Sequence, residues 1–144
     1  MPASGPREDV SEHEPTAAEG TRAVEDAPIG ISSSDPDLPD YPLVYVNDAW
    51  KDHTGYPVEE ALGRNPRFLQ GPGTDPETVE EIAEALGNEE EVTVEIRNYR
   101  RDGTPFWNEL TVAPIYDEDG DLAHYVGFQN DVSERKEAER LAQE

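Results

Sequence analysis

EVTVEIRNYRRDGTPFWNELTVAPIYDEDGDLAHYVGFQND, Glu91 to Asp131, is the stretch that decides the fold. Its apolar residues recur every second position, and RDGT and DEDG interrupt the pattern twice. Period two with turn residues between segments predicts three strands in an antiparallel meander. On the first strand Val92, Val94 and Ile96 share a face, and alternation adds Asn98. On the second, Asn108 shares a face with Phe106, Leu110 and Val112. A three-residue loop, Asp102 to Thr104, sets Asn98 directly opposite Asn108. An even loop at DEDG sets Gln129 opposite Asn108, with Tyr125 and Gly127 on its face and Leu122, Val126 and Phe128 on the other; alternation alone leaves either face free to turn inward, and the Gln129 side is taken as inner. Three neutral carboxamides are thus expected abreast on one wall. A buried amide without partners costs about 1–3 kcal/mol, so the three either bond one another, backbone or water, or meet a ligand whose edge alternates C=O and N–H. A pyrimidinedione edge, such as that of the flavin ring, has this alternation.

Outward from the meander, TDPETVEEIAEALGN reads as a helix. Asp75 is its expected cap, Pro76 suits its first position, and Gly87 stands where a left-handed residue would end it. Val79, Ile82, Ala83 and Leu86 form its apolar stripe. Ile29 to Ser33 and PLVYVN read as strands, SDPDLPD between them as a turn-rich connector, and Asn47-Asp48 as the start of short helical turns. SERKEAERLAQE reads as a charged helix over 132–144. Residues 1–28 are rich in Pro, Ala, Glu, Ser and Thr without apolar periodicity and are expected to be a disordered acidic tail. The architecture is therefore α+β, with helices on one face of an antiparallel sheet, in a single domain over 29–131.

Composition narrows the function. Cysteine is absent, which removes disulfides, thiolate metal sites and thiol nucleophiles. Acidic residues number 34 against 11 Lys and Arg, a net charge of −23 that repels nucleic acid and anionic membranes. So acidic a chain is expected to suit a salt-rich cytoplasm, where screening shortens to about 3 Å at molar salt. Neither a membrane span nor a signal segment is expected. His13, His53 and His124 are scattered, with no nucleophile or phosphate loop beside them, so no enzyme is expected.

Long motifs in order carry a resemblance: SDPDLPDYPLVYVN, TGYPVEEALGRNPRFLQGPGTD, NYRRDGTPFWNEL and GFQNDV, spanning about Ile31 to Val132. Together they resemble the LOV (light, oxygen, voltage) subclass of PAS domains, which bind flavin and sense blue light on a five-stranded antiparallel sheet. The resemblance implies that Asn98 and Asn108 bond the flavin's pyrimidine edge and that Gln129 sits beside its N5 and O4. It implies that Asn65 and Gln70 line the ribityl tail and that Arg67 binds the phosphate. Val79, Ile82, Leu110, Val112, Tyr125 and Gly127 would wall the ring, with Ser34 near it. FMN is the implied cofactor, with riboflavin or FAD as alternatives.

Two positions depart from the family. Pro66 stands where relatives carry the cysteine that adds to the excited flavin; proline fits a helix start but offers no nucleophile. Ala83 stands where many relatives place a second phosphate-gripping arginine, and Arg64 and Arg101 are candidates to compensate. The expected function is a blue-light or redox sensor without an adduct. Photoreduction to a neutral semiquinone would rearrange the Gln129 amide, with Tyr125, Tyr99, Trp50 and Trp107 as candidate electron donors. The alternative is a PAS interaction module that carries flavin passively or binds nothing. Trp107, Tyr99, Val126 and Phe128 form a second apolar patch that would seat the terminal helix or a second subunit. With so short a C-terminal segment, a stand-alone short LOV protein is expected, signalling as a homodimer or to an unidentified downstream protein.

Overall fold

The structure, a computed structural model, describes residues 24–25 and 27–143. Most of the expected disordered tail, 1–28, lies outside the described residues. Five strands, β1 (Gly30–Ser34), β2 (Leu43–Val46), β3 (Val92–Tyr99), β4 (Pro105–Tyr116) and β5 (Leu122–Asp131), form one antiparallel sheet in the order β2-β1-β5-β4-β3. Between β2 and β3 run α1 (Asp48–Thr54), α2 (Val58–Ala61), a single 3-10 turn (Pro66–Leu69) and α3 (Pro76–Gly87); α4 (Ser133–Ala142) follows β5. No helix among the described residues is long and apolar enough to cross a membrane.

The local chemistry explains the element ends. Asn47 caps α1 by accepting from the Trp50 N–H at 3.0 Å, and Asp75 caps α3 by accepting from the Glu77 N–H at 2.9 Å, with Pro76 at the first helical position. The end of α3 differs from expectation: Gly87 stays within the helix, Asn88 is the cap at φ −98°, and Glu89 takes the left-handed turn at φ 54°. Leu43, Val46, Trp50, Ala61 and Leu69 form a buried cluster that anchors β2, α1, α2 and the 3-10 turn to one another.

Both hairpins depart from the expected register by two residues while keeping the expected faces. The first turn closes one residue earlier, with Arg100 N–H donating to the Thr104 carbonyl at 2.9 Å and Gly103 at φ 91°. Asn98 therefore stands opposite Phe106, and Asn108 opposite Ile96. The second loop is odd rather than even, because the Asp117 carboxylate accepts from both Asp119 and Asp121 N–H and fixes a tight turn. An irregularity between Ile115 and Tyr116 then restores the parity, so that Gln129 pairs with Leu110 and Asn108 with Asp131.

The outer face of the sheet carries α4. Val132 N–H donates to the Trp107 carbonyl at 2.9 Å, and Trp107 N–H to Ser133 Oγ at 2.9 Å. Lys136 Nζ lies 4.5 Å from the centre of the Trp107 ring and, with Arg135, pairs with Glu95. Tyr99 does not join this seat: its hydroxyl accepts from Gly73 N–H at 2.7 Å, and its ring lies where a Cβ on Gly71 would be.

Candidate functional site

Between the inner sheet face and α3 lies a cavity of about 450 Å³. Alternation along β3, β4 and β5 delivers Asn98, Asn108, Leu110, Val112, Tyr125, Gly127 and Gln129 to its wall, and β1 adds Ser34. The α3 stripe supplies Val79 and Ile82, while the 3-10 turn and its flanks supply Asn65, Pro66, Arg67 and Gln70. All fourteen residues singled out in the sequence therefore line one cavity. The stripe of α3 faces this space rather than solid core, which is why none of its residues is fully buried.

The three carboxamides meet diagonally, not abreast. Asn108, 1% exposed, donates from Nδ2 to Asn98 Oδ1 at 2.9 Å and to Gln129 Oε1 at 3.3 Å. Side chains two residues out of register on adjacent strands remain within reach of each other. The mutual bonding satisfies only part of the set. Asn108 Oδ1 and Gln129 Nε2 are buried with no hydrogen-bond partner. One acceptor and one donor are thus left over, at a cost of about 1–3 kcal/mol each unless a ligand meets them. A ring edge that alternates C=O and N–H meets both, so the residues present fit a flavin.

Space around Gln129 is set by a glycine. Gly30 is its partner across β1 and β5, and a Cβ there would come within 2.6 Å of Gln129 Cγ. Gly127 similarly leaves room for Ser32, whose Oγ would lie 2.8 Å from an added Cβ.

Trp50 and Tyr125 line the cavity, whereas Tyr99 and Trp107 do not. The Tyr125 hydroxyl donates to the Leu86 carbonyl at 2.6 Å, and burial holds its pKa above the ordinary tyrosine value. Pro66 opens the 3-10 turn at its first position, with Asn65 Oδ1 accepting from Arg67 N–H at 2.9 Å. The backbone there needs no thiol.

Asp40 and Tyr41 also line the cavity, though nothing in their sequence context marked them as more than a connector. Their signal was weak because both reach the site through positive φ, 68° and 49°, which side-chain periodicity does not report. Of the arginines weighed against the loss at Ala83, Arg64 stacks on Phe68 at 4.0 Å and Arg101 pairs with Glu60 at 2.9 Å; neither lines the cavity. Ala83 does.

Comparison with known proteins agrees with this architecture. The PAS domain family matches residues 28–134. The chain is 50% identical over 122 residues to the bacterioopsin transcriptional activator of Halobacterium salinarum, covering 85% of this chain and 18% of that protein. It is 51% identical over 115 residues to the blue-light-activated histidine kinase 1 of Erythrobacter litoralis, covering 77% of this chain and 32% of the kinase. The chain thus spans less than a third of either curated relative. A solved structure described as "Flavin Analogue Sheds Light on Light-Oxygen-Voltage Domain Mechanism" superimposes with a TM-score of 0.76 at 43% identity, covering 85% of this chain and 90% of that one. With the sheet order, the cavity and these likenesses together, the chain belongs to the PAS domain family, in its light-oxygen-voltage subclass.

Proposed function

We propose that this chain is a flavin-binding blue-light or redox sensor that works without a cysteinyl adduct and catalyses no reaction of its own. The observation that carries the reading is the unpaired Asn108 Oδ1 and Gln129 Nε2 on the wall of a ring-sized cavity. Flavin, when bound, supplies blue absorption and a ring that accepts an electron and a proton. Asn108 orients the ring edge, because its Nδ2 is already committed to Asn98 and Gln129 and only its oxygen is free to accept. Trp50 and Tyr125 are wall aromatics placed to give up an electron, and Tyr125 keeps its proton on the Leu86 carbonyl.

Gln129 is the switch in this reading. Its amide presents a donor or an acceptor according to its rotation, and Gly30 leaves the space for that rotation. A rotated Gln129 trades the bond from Asn108 for another, and Gly30 opposite it opens β1. That strand is tied to Asn47, whose Oδ1 accepts from Ile31 N–H at 2.8 Å and whose Nδ2 donates to the Ile29 carbonyl at 3.1 Å and the Val24 carbonyl at 2.7 Å. The first strand and the residues before it are therefore the natural readout, through a change in dimer geometry or to a downstream protein.

The test is to purify the full chain in high salt, identify any released pigment by mass, and record spectra and hydrodynamic radius before and after blue light under reductant. Bound flavin with a light-dependent change in both is expected. Folded protein that stays colourless after reconstitution returns the chain to the class of ligand-free interaction modules.

A further inference from the structure

Resting on the flavin reading, we propose that the cavity selects a flavin whose ribityl tail ends in a hydroxyl, riboflavin, and that Asp40 is the residue that disfavours the phosphate of FMN. Of the three polar residues that the resemblance assigns to the tail, Asn65, Gln70 and Arg67, two are tied to this one aspartate. Asn65 spends Oδ1 on Arg67 N–H and donates from Nδ2 to the Asp40 carbonyl at 2.7 Å. Arg67 meets the Asp40 carboxylate with two nitrogens, Nη1 to Oδ2 at 2.7 Å and Nη2 to Oδ1 at 2.8 Å. The two-pronged edge of the guanidinium, which would clasp a phosphate, is already filled.

Charge points the same way. Among the described residues that line the cavity, Arg67 is the single cation and Asp40 the single anion, so they cancel. The Arg67 guanidinium holds the Asp40 carboxyl below the usual carboxylate range, and the group is charged at neutral pH. A phosphate of charge about −1.5 to −2 would have to displace this carboxylate and then sit beside it, with no second cation from Ala83. A terminal hydroxyl displaces nothing and can donate its proton to the same carboxylate.

Asp40 is also held at the mouth rather than on a free loop. Asp40 and Tyr41 have consecutive positive φ angles, and the Tyr41 ring stacks on Tyr125 with centroids 5.9 Å apart and an 18° tilt. Tyr41 N–H donates to the Leu38 carbonyl at 3.2 Å, closing the turn that presents the carboxylate.

The experiment measures riboflavin and FMN affinities of the full chain by flavin fluorescence, for wild type, Asp40→Asn and Ala83→Arg, at 0.15 M and 1 M salt. Asparagine tolerates the left-handed backbone at position 40 and keeps the carbonyl that Asn65 uses. Wild type is expected to favour riboflavin. Asp40→Asn should shift the FMN-to-riboflavin affinity ratio toward FMN by about two- to fivefold at 0.15 M, the range an exposed ion pair supports, and by less at 1 M where screening falls to about 3 Å. Ala83→Arg, on an exposed stretch of α3, should shift the ratio the same way and carries the test if Asp40→Asn does not fold. Wild type favouring FMN, or a ratio that neither variant moves, overturns the proposal and leaves the flavin reading standing. Folded wild type that binds neither flavin overturns both.

Discussion

Replacing Asn108 with leucine, a side chain of similar size, removes the donor shared by Asn98 and Gln129. The wild-type amide makes two hydrogen bonds, at 2.9 Å and 3.3 Å, and both acceptors are buried, Asn98 at 4% and Gln129 at 3% exposure. Leaving two buried oxygens without this donor costs about 2–6 kcal/mol in all, at about 1–3 kcal/mol each. Against this, the substitution removes the unpaired Asn108 Oδ1, which returns about 1–3 kcal/mol. The net loss for the ligand-free protein is therefore about 1–3 kcal/mol, or a fall in melting temperature of roughly 5–15 °C for a domain of this size. Asn108→Asp sharpens the test. It keeps the shape but must be protonated to donate, and burial raises its folded pKa above the unfolded value of about 3.9. Its contribution is complete below that unfolded value and is lost as pH rises through the folded one. Denaturation midpoints in fixed high salt, over a pH series, check both variants. A leucine variant as stable as wild type, together with an aspartate variant whose deficit does not grow with pH, would refute the carboxamide hub.

Three further outcomes follow from particular contacts. Gly30→Ala places a methyl 2.6 Å from Gln129 Cγ and should cost about 1–3 kcal/mol while suppressing any light-driven change in hydrodynamic radius; wild-type behaviour in both measurements counts against Gln129 as the moving part. Acid should loosen α4: Arg135 first, then Lys136, hold the Glu95 pKa down, so the clasp contributes above the unfolded carboxylate value and fades as pH falls through the depressed one. Amide exchange in α4 and Trp107 fluorescence report this, and a Glu95→Gln variant should show no such acid step. Stability should rise with salt into the molar range because a net charge of −23 opposes compaction; a flat or falling melting temperature would contradict that assignment of the acidic residues.

The likeness to longer proteins bears on how this domain signals. In a reading where Gln129 acts on Gly30 and β1, the signal leaves through β1 and the residues before it that Asn47 holds, not through the charged α4 seat on Trp107. Hydrogen exchange at Ile31 and at Lys136, compared in dark and light, separates the two routes.

What the sequence alone determined was composition, period and parity. Alternation put Asn98 and Asn108 on the faces of their apolar neighbours, caps and the i, i+3, i+4 spacing located α3, and an unbroken absence of cysteine removed thiol chemistry, whereas the inward side of the Gln129 strand was not set by alternation alone. Tertiary structure decided the quantities that parity cannot carry. A strand moved by two residues keeps every side chain on its face, so the pattern could not separate Asn98 opposite Asn108 from Asn98 opposite Phe106. The choice fell to backbone bonds in the turns, to the Asp117 carboxylate and to one irregularity in β4. Asp40 was equally hidden, because two positive φ angles bring it onto Arg67, 27 residues away, and local periodicity contains nothing about a contact made by a kinked backbone across the mouth of a cavity.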